Sequence, residues 1–301
     1  MAPNKKQRSS AADRFAPPEM DQRTMPKKQQ PPRRYGLLLL FLTISIGGTF
    51  LAIALRPSGQ TPQFKAVVIP DKNFPDGLRR YPHDPNAFTQ GLVWEDGVLW
   101  ESTGQLGKSS IRKVNFKTGE VLENVPLKDE YFGEGLALLN GKFYQQTWKN
   151  GKVLVYDRDL KQIDEIEISG EGWGLTTDGV HLIYSDGSSQ IRFIDPETFK
   201  TVRSITVMRP GGSKIFQLNE LEYIEGKIYA NRWKSETIYE INPDSGDVTK
   251  TISLAGLWKV KDRPSGGVMN GIAYNAKTQK MLVTGKYCPY VYEIDLLPVK
   301  R

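Results

Sequence analysis

Five short stretches of the chain repeat one pattern and place a different side chain at the same point each time. The varying residues are Gln90, Glu134, Trp173, Asn219 and Asn270. A position that keeps its surroundings while its side chain changes is typical of the lining of a shared site. Glu134 is the single acid of this set. In an aromatic pocket its pKa would be raised, which suits a carboxylate to transfer protons near neutral pH.

A second set of positions recurs at a fixed distance from the first. In four repeats the member of this second set lies thirteen residues after the residue that follows the varying position. In the last repeat the intervening turn is two residues longer. The members are Gly104, Trp148, Gly187, Trp233 and Lys286. We expect them to lie just outside the first set. The combined site would gather a carboxylate, three amides, three tryptophans and a lysine.

Such a site needs a repeating scaffold, and the chain from Phe64 onward consists of short alternating apolar runs separated by turn residues. The residues that follow the varying positions are 39 to 51 residues apart, the size of a four-stranded propeller blade. Five copies therefore predict an all-β fold, a five-bladed β-propeller. The run at residues 64–70 stands alone before the first copy, and we expect it to complete the last blade. An open β-sandwich is the alternative, but it predicts neither five equivalent repeats nor this extra strand.

A long apolar run precedes the predicted propeller. The twenty uncharged residues from Gly36 to Leu55 would span about 30 Å as a helix, which is the thickness of a membrane's hydrocarbon core. Residues 35–56 are therefore predicted to be a single transmembrane signal-anchor. The basic arm at residues 1–34 would stay cytoplasmic, giving a type II protein whose domain at residues 57–301 is luminal or extracellular in the secretory pathway. Cleavage after Ala52 or Ala54, with secretion, is the alternative.

The positive charge of the chain is confined to that arm. Residues 1–34 contain nine Lys or Arg and three acids, whereas the chain from residue 57 onward contains 31 basic and 31 acidic residues. The arm is rich in Pro and Gln and is expected to be disordered. Because the folded part is neutral, we expect no nucleic-acid partner. We also expect a monomer.

The remaining residues with reactive side chains are expected to be structural. His83 and His181 are the only histidines, which argues against a His-rich metal site, and His83 lies in a proline-rich loop. Cys288 lacks a nearby His and precedes Pro289, so we expect a buried thiol rather than a nucleophile. The other tryptophans are expected in the core: Trp94, Trp100 and Trp258.

Several of these stretches together resemble one enzyme family, the plant-type glutaminyl-peptide cyclotransferases, which are five-bladed propellers. The resemblance runs from about residue 64 to residue 296, so it leaves out the arm and the apolar run. The motifs that carry it are YPHDPNAFTQGL at 81–92, ESTGQLGKSSIRKV at 101–114, YFGEGL at 131–136, GWGLTTDG at 172–179, LNELEYI at 218–224, MNGIAY at 269–274 and VTGK at 283–286.

The resemblance implies cyclisation of N-terminal glutaminyl residues of peptides and proteins to pyroglutamate, with release of ammonia and without a metal or other cofactor. Glu134 would act as the general base and then the general acid, and Lys286, Gln90 and Asn219 would bind the amide and stabilise the oxyanion. The remaining residues of the predicted site would shape the substrate pocket: Phe88, Phe132, Trp148, Trp173, Trp233 and Asn270. The glycines beside Glu134 are expected to let the substrate backbone approach.

Two other functions use the same residues. A propeller hydrolase could bind Ca²⁺ through Glu134, Asn219 and Asn270, although one carboxylate neutralises a divalent cation poorly. A catalytically silent binding propeller is the second alternative, because fold does not determine function.

Overall fold

The computed structural model describes residues 60–299, and in that range the fold is all-β. The one helical segment given there is a single 3-10 turn at Val260–Asp262. In the described part of the chain there is no helix with the length and apolarity needed to cross a membrane. The predicted basic arm at 1–34 and the predicted transmembrane segment at 35–56 lie outside the described residues.

Three sheets each consist of four consecutive antiparallel strands, and we call them the first, second and third units. The first unit contains β3 (Thr89–Glu95), β4 (Val98–Thr103), β5 (Ser110–Asn115) and β6 (Val121–Pro126). The second unit contains β7 (Gly133–Leu139), β8 (Lys142–Thr147), β9 (Lys152–Tyr156) and β10 (Gln162–Glu167). The third unit contains β11 (Leu175–Thr177), β12 (Leu182–Ser185), β13 (Gln190–Ile194) and β14 (Thr201–Thr206).

The remaining strands form one larger sheet, which divides into a fourth and a fifth unit. The fourth unit contains β15 (Leu218–Ile224), β16 (Lys227–Arg232), β17 (Thr237–Ile241) and β18 (Val248–Ser253). The fifth unit contains β19 (Met269–Asn275), β20 (Lys280–Gly285), β21 (Tyr290–Pro298) and the N-terminal strand β1 (Gln63–Val68). A short strand, β2 (Arg80–Pro82), also pairs with β21.

The N-terminal strand joins the two ends of the described chain. β1 pairs antiparallel with β21, with Phe64 opposite Pro298 and Val68 opposite Ile294. The prediction that this strand completes the last unit is therefore confirmed. β1 also pairs in parallel with β18, with Phe64 opposite Ile252, so it covers an edge of the fourth unit as well. The sequence had not predicted this second pairing.

The hairpin turns match the turn residues read from the sequence. Asp96 and Gly97 connect β3 to β4 and have φ values of 49° and 88°. Two consecutive positive φ values define the type I′ turn that suits the twist of a two-residue hairpin. The same pair of positive φ values occurs at Asn140-Gly141 and Glu225-Gly226, the corresponding turns of the second and fourth units.

The first strands of the five units contact one another in cyclic order, and β19 contacts β3. Glycine is required where these strands approach most closely. A Cβ on Gly91 would lie 2.4 Å from the Leu136 nitrogen, and a Cβ on Gly135 would lie 2.3 Å from the Leu175 nitrogen. Glu220 takes the place of this glycine in the fourth unit, and its carboxylate accepts the Ile272 backbone N–H at 2.9 Å.

The hydrophobic core consists of five clusters, and each lies between two neighbouring units. In one of them Leu99 of the first unit packs with Leu282 of the fifth. Trp100 and Trp258 are buried as predicted, whereas Trp94 is partly buried against the cluster that contains Leu99 and Leu282. Cys288 is buried and free.

Candidate active site

Irregular pairing at the start of the first strands points the varying residues into one cavity. The antiparallel register shifts between Thr89 and Gly91 in β3, and the same shift occurs at the equivalent positions of β7, β15 and β19. A β-bulge of this kind re-aims a side chain out of the regular alternation. The bulges therefore explain why Gln90, Glu134 and Asn219 face a common space.

The predicted second set of positions is equivalent in backbone hydrogen bonding. In four of the five units, the backbone N–H of this second position donates a hydrogen bond to a backbone carbonyl at 2.8 to 2.9 Å. The carbonyl belongs to the residue two positions before the varying residue of the same unit. The pairs are Gly104 with Phe88, Trp148 with Phe132, Trp233 with Gln217 and Lys286 with Val268. The placement of Lys286 among these strand ends, which needed a turn two residues longer, is thereby confirmed.

These side chains surround a recess of about 750 Å³, counting the part that is open to solvent. Nine of the ten predicted site residues line it: Phe88, Gln90, Phe132, Glu134, Trp148, Trp173, Asn219, Trp233 and Lys286. The sequence had not identified six further lining residues: Gln105, Lys234, Ser265, Gly266, Val268 and Tyr287. In the described part of the chain, no three His, Cys, Asp or Glu side chains are grouped so that they could bind a metal ion.

Asn270 lies behind this wall rather than in it, which corrects its predicted place in the substrate pocket. Its Nδ2 donates to the backbone oxygen of Thr89 at 3.0 Å and to Gln90 Oε1 at 3.3 Å. The hydrogen bond to the Thr89 carbonyl of the neighbouring unit therefore directs the Asn270 amide toward that unit. Asn270 orients Gln90 instead of contacting the cavity.

Glu134 is buried at the inner end of the recess, with a relative exposure of 5%. Gln90 Nε2 donates a hydrogen bond to Glu134 Oε1 at 2.8 Å. Burial raises the pKa of Glu134 well above its usual value, while the positive charge of Lys286 opposes this shift. A chain of donors from Asn270 through Gln90 thus holds a buried carboxyl group whose pKa is raised.

Lys286 lies beside Glu134 and is equally buried, with a relative exposure of 4%. Burial lowers the pKa of Lys286 to about 8, although the charge of Glu134 opposes the shift. Its ammonium lies 4.5 Å from the centre of the Phe88 ring, a cation–π contact that favours the charged form. Below about pH 8, Lys286 therefore supplies a positive charge to the recess.

Asn219 completes the polar part of the site. It is 2% exposed, and its Oδ1 has no hydrogen-bond partner among the described residues. Buried polar atoms are nearly always hydrogen-bonded. An N–H group of a bound ligand would satisfy this oxygen.

Aromatic rings form the walls of the recess. Phe132 contacts Phe88 and Trp148 at centroid distances of 5.9 and 5.6 Å, and Trp173 contacts Trp233 at 5.7 Å, all edge-to-face. The first and third units have glycine at the second-strand end because a neighbouring ring occupies the space. A Cβ on Gly104 would lie 2.3 Å from the Phe132 ring, and one on Gly187 would lie 2.8 Å from Trp173.

The glycines beside Glu134 have a different role from the predicted one. A Cβ on Gly133 would lie 2.6 Å from the Thr103 oxygen, and one on Gly135 would meet the backbone of the third unit. Both glycines are therefore required for packing between units, and neither is among the residues that line the recess.

Some of the missed residues had a signal in the sequence. Gln105, Lys234 and Tyr287 each follow directly after a second-strand end that we had identified, and Gln105 donates a hydrogen bond to the Tyr287 hydroxyl. Glu171 occupies in the third unit the position that Phe88 and Phe132 occupy in theirs. Its carboxylate accepts the indole N–H groups of two site tryptophans. Ser265 and Gly266 come from the long connection before β19, which has no counterpart in the other units.

Comparisons by sequence and by structure both match proteins that are named as glutaminyl cyclases or cyclotransferases. A family model described as Glutamine cyclotransferase matches residues 50–296. A glutaminyl-peptide cyclotransferase from Arabidopsis thaliana is 41% identical over 226 residues, which cover 73% of this chain and 70% of that protein. The crystal structure of Myxococcus xanthus glutaminyl cyclase matches with a TM-score of 0.72 at 32% identity, covering 80% of this chain and 100% of that chain.

Proposed function

Because this chain belongs to the glutamine cyclotransferase family, we propose that it converts N-terminal glutaminyl residues to pyroglutamate through proton transfer by Glu134. Its activity is that of a glutaminyl-peptide cyclotransferase, and its substrates are peptides and proteins with an N-terminal glutamine. One observation carries the proposed mechanism. A buried carboxyl group with a raised pKa lies beside a buried ammonium in an aromatic recess.

In the first step, the α-amine nitrogen of the substrate attacks the carbon of its own side-chain amide. Glu134 accepts a proton from that nitrogen, the new C–N bond closes a five-membered ring, and the amide oxygen becomes an oxyanion. In the second step, protonated Glu134 gives this proton to the departing nitrogen, and the oxyanion collapses to a carbonyl as ammonia leaves. The carboxylate is thereby regenerated, so no other proton carrier is needed.

Lys286 and Asn219 have the chemistry to bind the reacting amide. The charged ammonium of Lys286 would stabilise the oxyanion in a recess from which water is largely excluded. The unpartnered Oδ1 of Asn219 would accept an N–H of the substrate amide, and so hold its carbonyl oxygen toward Lys286. Gln90 has already committed one N–H to Glu134, so we assign it to orienting the base, with its second N–H available to substrate.

The aromatic walls would favour cyclisation over hydrolysis. Phe88, Phe132, Trp148, Trp173 and Trp233 surround a volume suited to one extended glutamine side chain. Excluding water protects the tetrahedral intermediate and strengthens the interaction with Lys286.

We propose that the reaction is independent of a metal. The recess places one carboxylate beside an ammonium, and a divalent cation bound at Glu134 would be repelled by Lys286. The Ca²⁺ site considered from the sequence would also need Asn270, which is not among the residues that line the recess.

We further propose that the five units form a closed five-bladed β-propeller with the recess at one end of its axis. The cyclic contact of the first strands and the five core clusters between neighbouring units support this arrangement. The composition of residues 36–55 remains the basis for proposing a membrane anchor, with the propeller luminal or extracellular.

The proposal is tested by incubating the purified chain with a peptide that begins with glutamine. We expect stoichiometric release of ammonia and pyroglutamyl peptide, unchanged by a strong chelator. A matched peptide with an acetylated N-terminus should not react because its amine cannot attack. Loss of turnover on chelation would contradict metal independence, and binding without turnover would indicate a binding protein instead of an enzyme.

A further inference from the structure

Glu171 connects the tryptophan walls of two neighbouring units. It lies on the connection between β10 and β11, and its Oε2 accepts the indole N–H of Trp148 at 2.9 Å and that of Trp173 at 3.1 Å. Trp148 follows the second strand of the second unit, whereas Trp173 occupies the varying position of the third. One carboxylate oxygen therefore holds two rings that come from different sheets.

The backbone around Glu171 is held in place independently of the side chain. The Tyr184 hydroxyl donates a hydrogen bond to the Glu171 carbonyl oxygen, and the backbone N–H of Gly172 donates to Trp148 O at 2.9 Å. The backbone position of Glu171 is thus determined by the fold. The side chain is 41% exposed, and its second oxygen lies 3.8 Å from Lys149 Nζ at the rim of the recess.

We propose that Glu171 is a positioning residue of the cyclisation, which fixes the planes of Trp148 and Trp173 so that they form a preorganised wall of the substrate recess. This inference rests on the proposed function. An indole side chain that lacks a partner for its N–H can rotate about two bonds, and ordering it would then be part of the cost of binding substrate. Because both N–H groups are bound to one oxygen, the two rings are already ordered in the folded protein before substrate binds.

The charge of Glu171 also acts on Glu134. It opposes the ionisation of Glu134 and adds to the effect of burial, while Lys286 acts in the other direction. The charged groups near this pair are Lys286 on the turn after β20, Lys234, which also lines the recess, and Lys149 beside Glu171, and Gln90 is the neutral hydrogen-bond donor to Glu134. Removing the charge of Glu171 should therefore lower the pKa of Glu134.

Two substitutions separate the hydrogen bonds from the charge. Glu171→Asp keeps the charge but withdraws the carboxylate by one methylene, so it cannot reach both indoles. We expect KM to rise about tenfold while the acidic limb of the pH profile stays in place. Glu171→Gln keeps an acceptor oxygen at the same reach, so KM should stay within about twofold, while the acidic limb of kcat/KM should move to lower pH.

A matched control is Glu130→Gln, which removes an exposed acid from the loop before Phe132. It should change neither parameter. If Glu171→Asp and Glu171→Gln both retain the KM and the pH profile of the natural chain, the inference is wrong. If the natural chain itself releases no ammonia, the proposed function fails, which is a different result from active chains that are indifferent to position 171.

Discussion

Glu134 and Lys286 share a buried recess, and burial shifts their pKa values toward each other. The pKa of Glu134 rises well above its usual value, and that of Lys286 falls to about 8. The active pair is then a carboxylate that accepts a proton and an ammonium that faces the oxyanion. The reaction needs an ionised Glu134 and a charged Lys286, so the pH profile should have an acidic limb set by Glu134 and a basic limb set by Lys286.

The basic limb of that profile should belong to Lys286. Below about pH 8 the side chain carries its charge, and above it the oxyanion loses this partner, so kcat should fall. Lys286→Arg keeps a positive charge to beyond about pH 12. We expect this variant to have kcat about tenfold lower, because the guanidinium fits the space poorly, but to lose the basic limb. Measuring kcat with saturating peptide from about pH 5 to pH 10 decides this. If the basic limb of Lys286→Arg stays at the same pH as in the natural chain, that limb belongs to a group other than Lys286.

For individual residues, the sequence predicted which side chains come together but not which of them contact the recess and which orient a neighbour. Gln90, Glu134 and Asn219 were identifiable because the repeat aligns them. The alignment could not show that Asn270 turns toward Thr89 of the neighbouring unit, because that contact joins residues 181 positions apart. Glu171 could not be identified from the sequence, because its hydrogen bonds to the indole N–H groups of Trp148 and Trp173 depend on how the fold brings these residues together.

At the scale of elements, a buried charge network holds the two loops that carry Phe88 and Lys286. His83 Nε2 contacts Glu101 Oε1 at 3.0 Å, and His83 Nδ1 contacts the Cys288 oxygen at 2.7 Å. Arg112 bonds the second oxygen of Glu101 and also Asp84. His83 was predicted to be loop structure, and its contacts with Glu101 and with the Cys288 oxygen connect that loop to β4 and to the turn after β20.

The network should make stability depend on pH through His83. Burial lowers the pKa of His83, but Glu101 outweighs it and the net shift is upward. A raised folded pKa gives stability that is fully present below the unfolded value and is lost as pH rises through the folded value. We expect His83→Gln to cost about 3 kcal/mol near neutral pH, since one partner of a buried ion pair is removed.

Urea unfolding of His83→Gln and of the natural chain measures this cost, and the difference between them should shrink as the pH rises. The control is the other histidine, which pairs with Asp178 at the surface, so His181→Gln should cost less than about 1 kcal/mol. A difference for His83→Gln that stays constant at every pH would mean that the pKa of His83 is the same in the folded and unfolded states.

The strands themselves were largely predictable, whereas their irregularities were not. Alternation and turn residues such as Asp96-Gly97 indicate hairpins directly. The register shifts beside Gln90 and Glu134 have no such signature in the sequence. Glycine at positions such as Gly135 signalled the close approach, but its cause is backbone packing and not substrate.

At the scale of the whole molecule, β1 is the element that joins the end of the described chain to its beginning. Its one fully buried side chain, Ala66, packs in the cluster between the fourth and fifth units. The parallel pairing with β18 means that β1 belongs structurally to both units. Sequence predicted the closure because a strand without a partner was left over, but the repeat length alone could not indicate the bond to β18.

A charge placed at Ala66 should therefore destabilise the whole fold. We expect Ala66→Asp to cost about 3 kcal/mol or more, because an unpaired carboxylate would be buried, and to lower Tm and activity together. Lys65→Asp alters the exposed neighbour and should stay within about 0.5 kcal/mol. Thermal unfolding followed by circular dichroism measures both. Equal effects of the two substitutions would show that β1 is not part of the cooperative core.

The central claim concerns one proton carrier, and the most direct test is the rate of ammonia release by Glu134→Gln under saturating substrate. The amide matches the carboxylate in size, so the fold and peptide binding should be retained, as unfolding and equilibrium binding would verify. We predict that kcat falls by about 10³-fold or more, because neither proton transfer can then occur at this position. A variant that binds peptide and turns over within about tenfold of the natural rate would contradict the account.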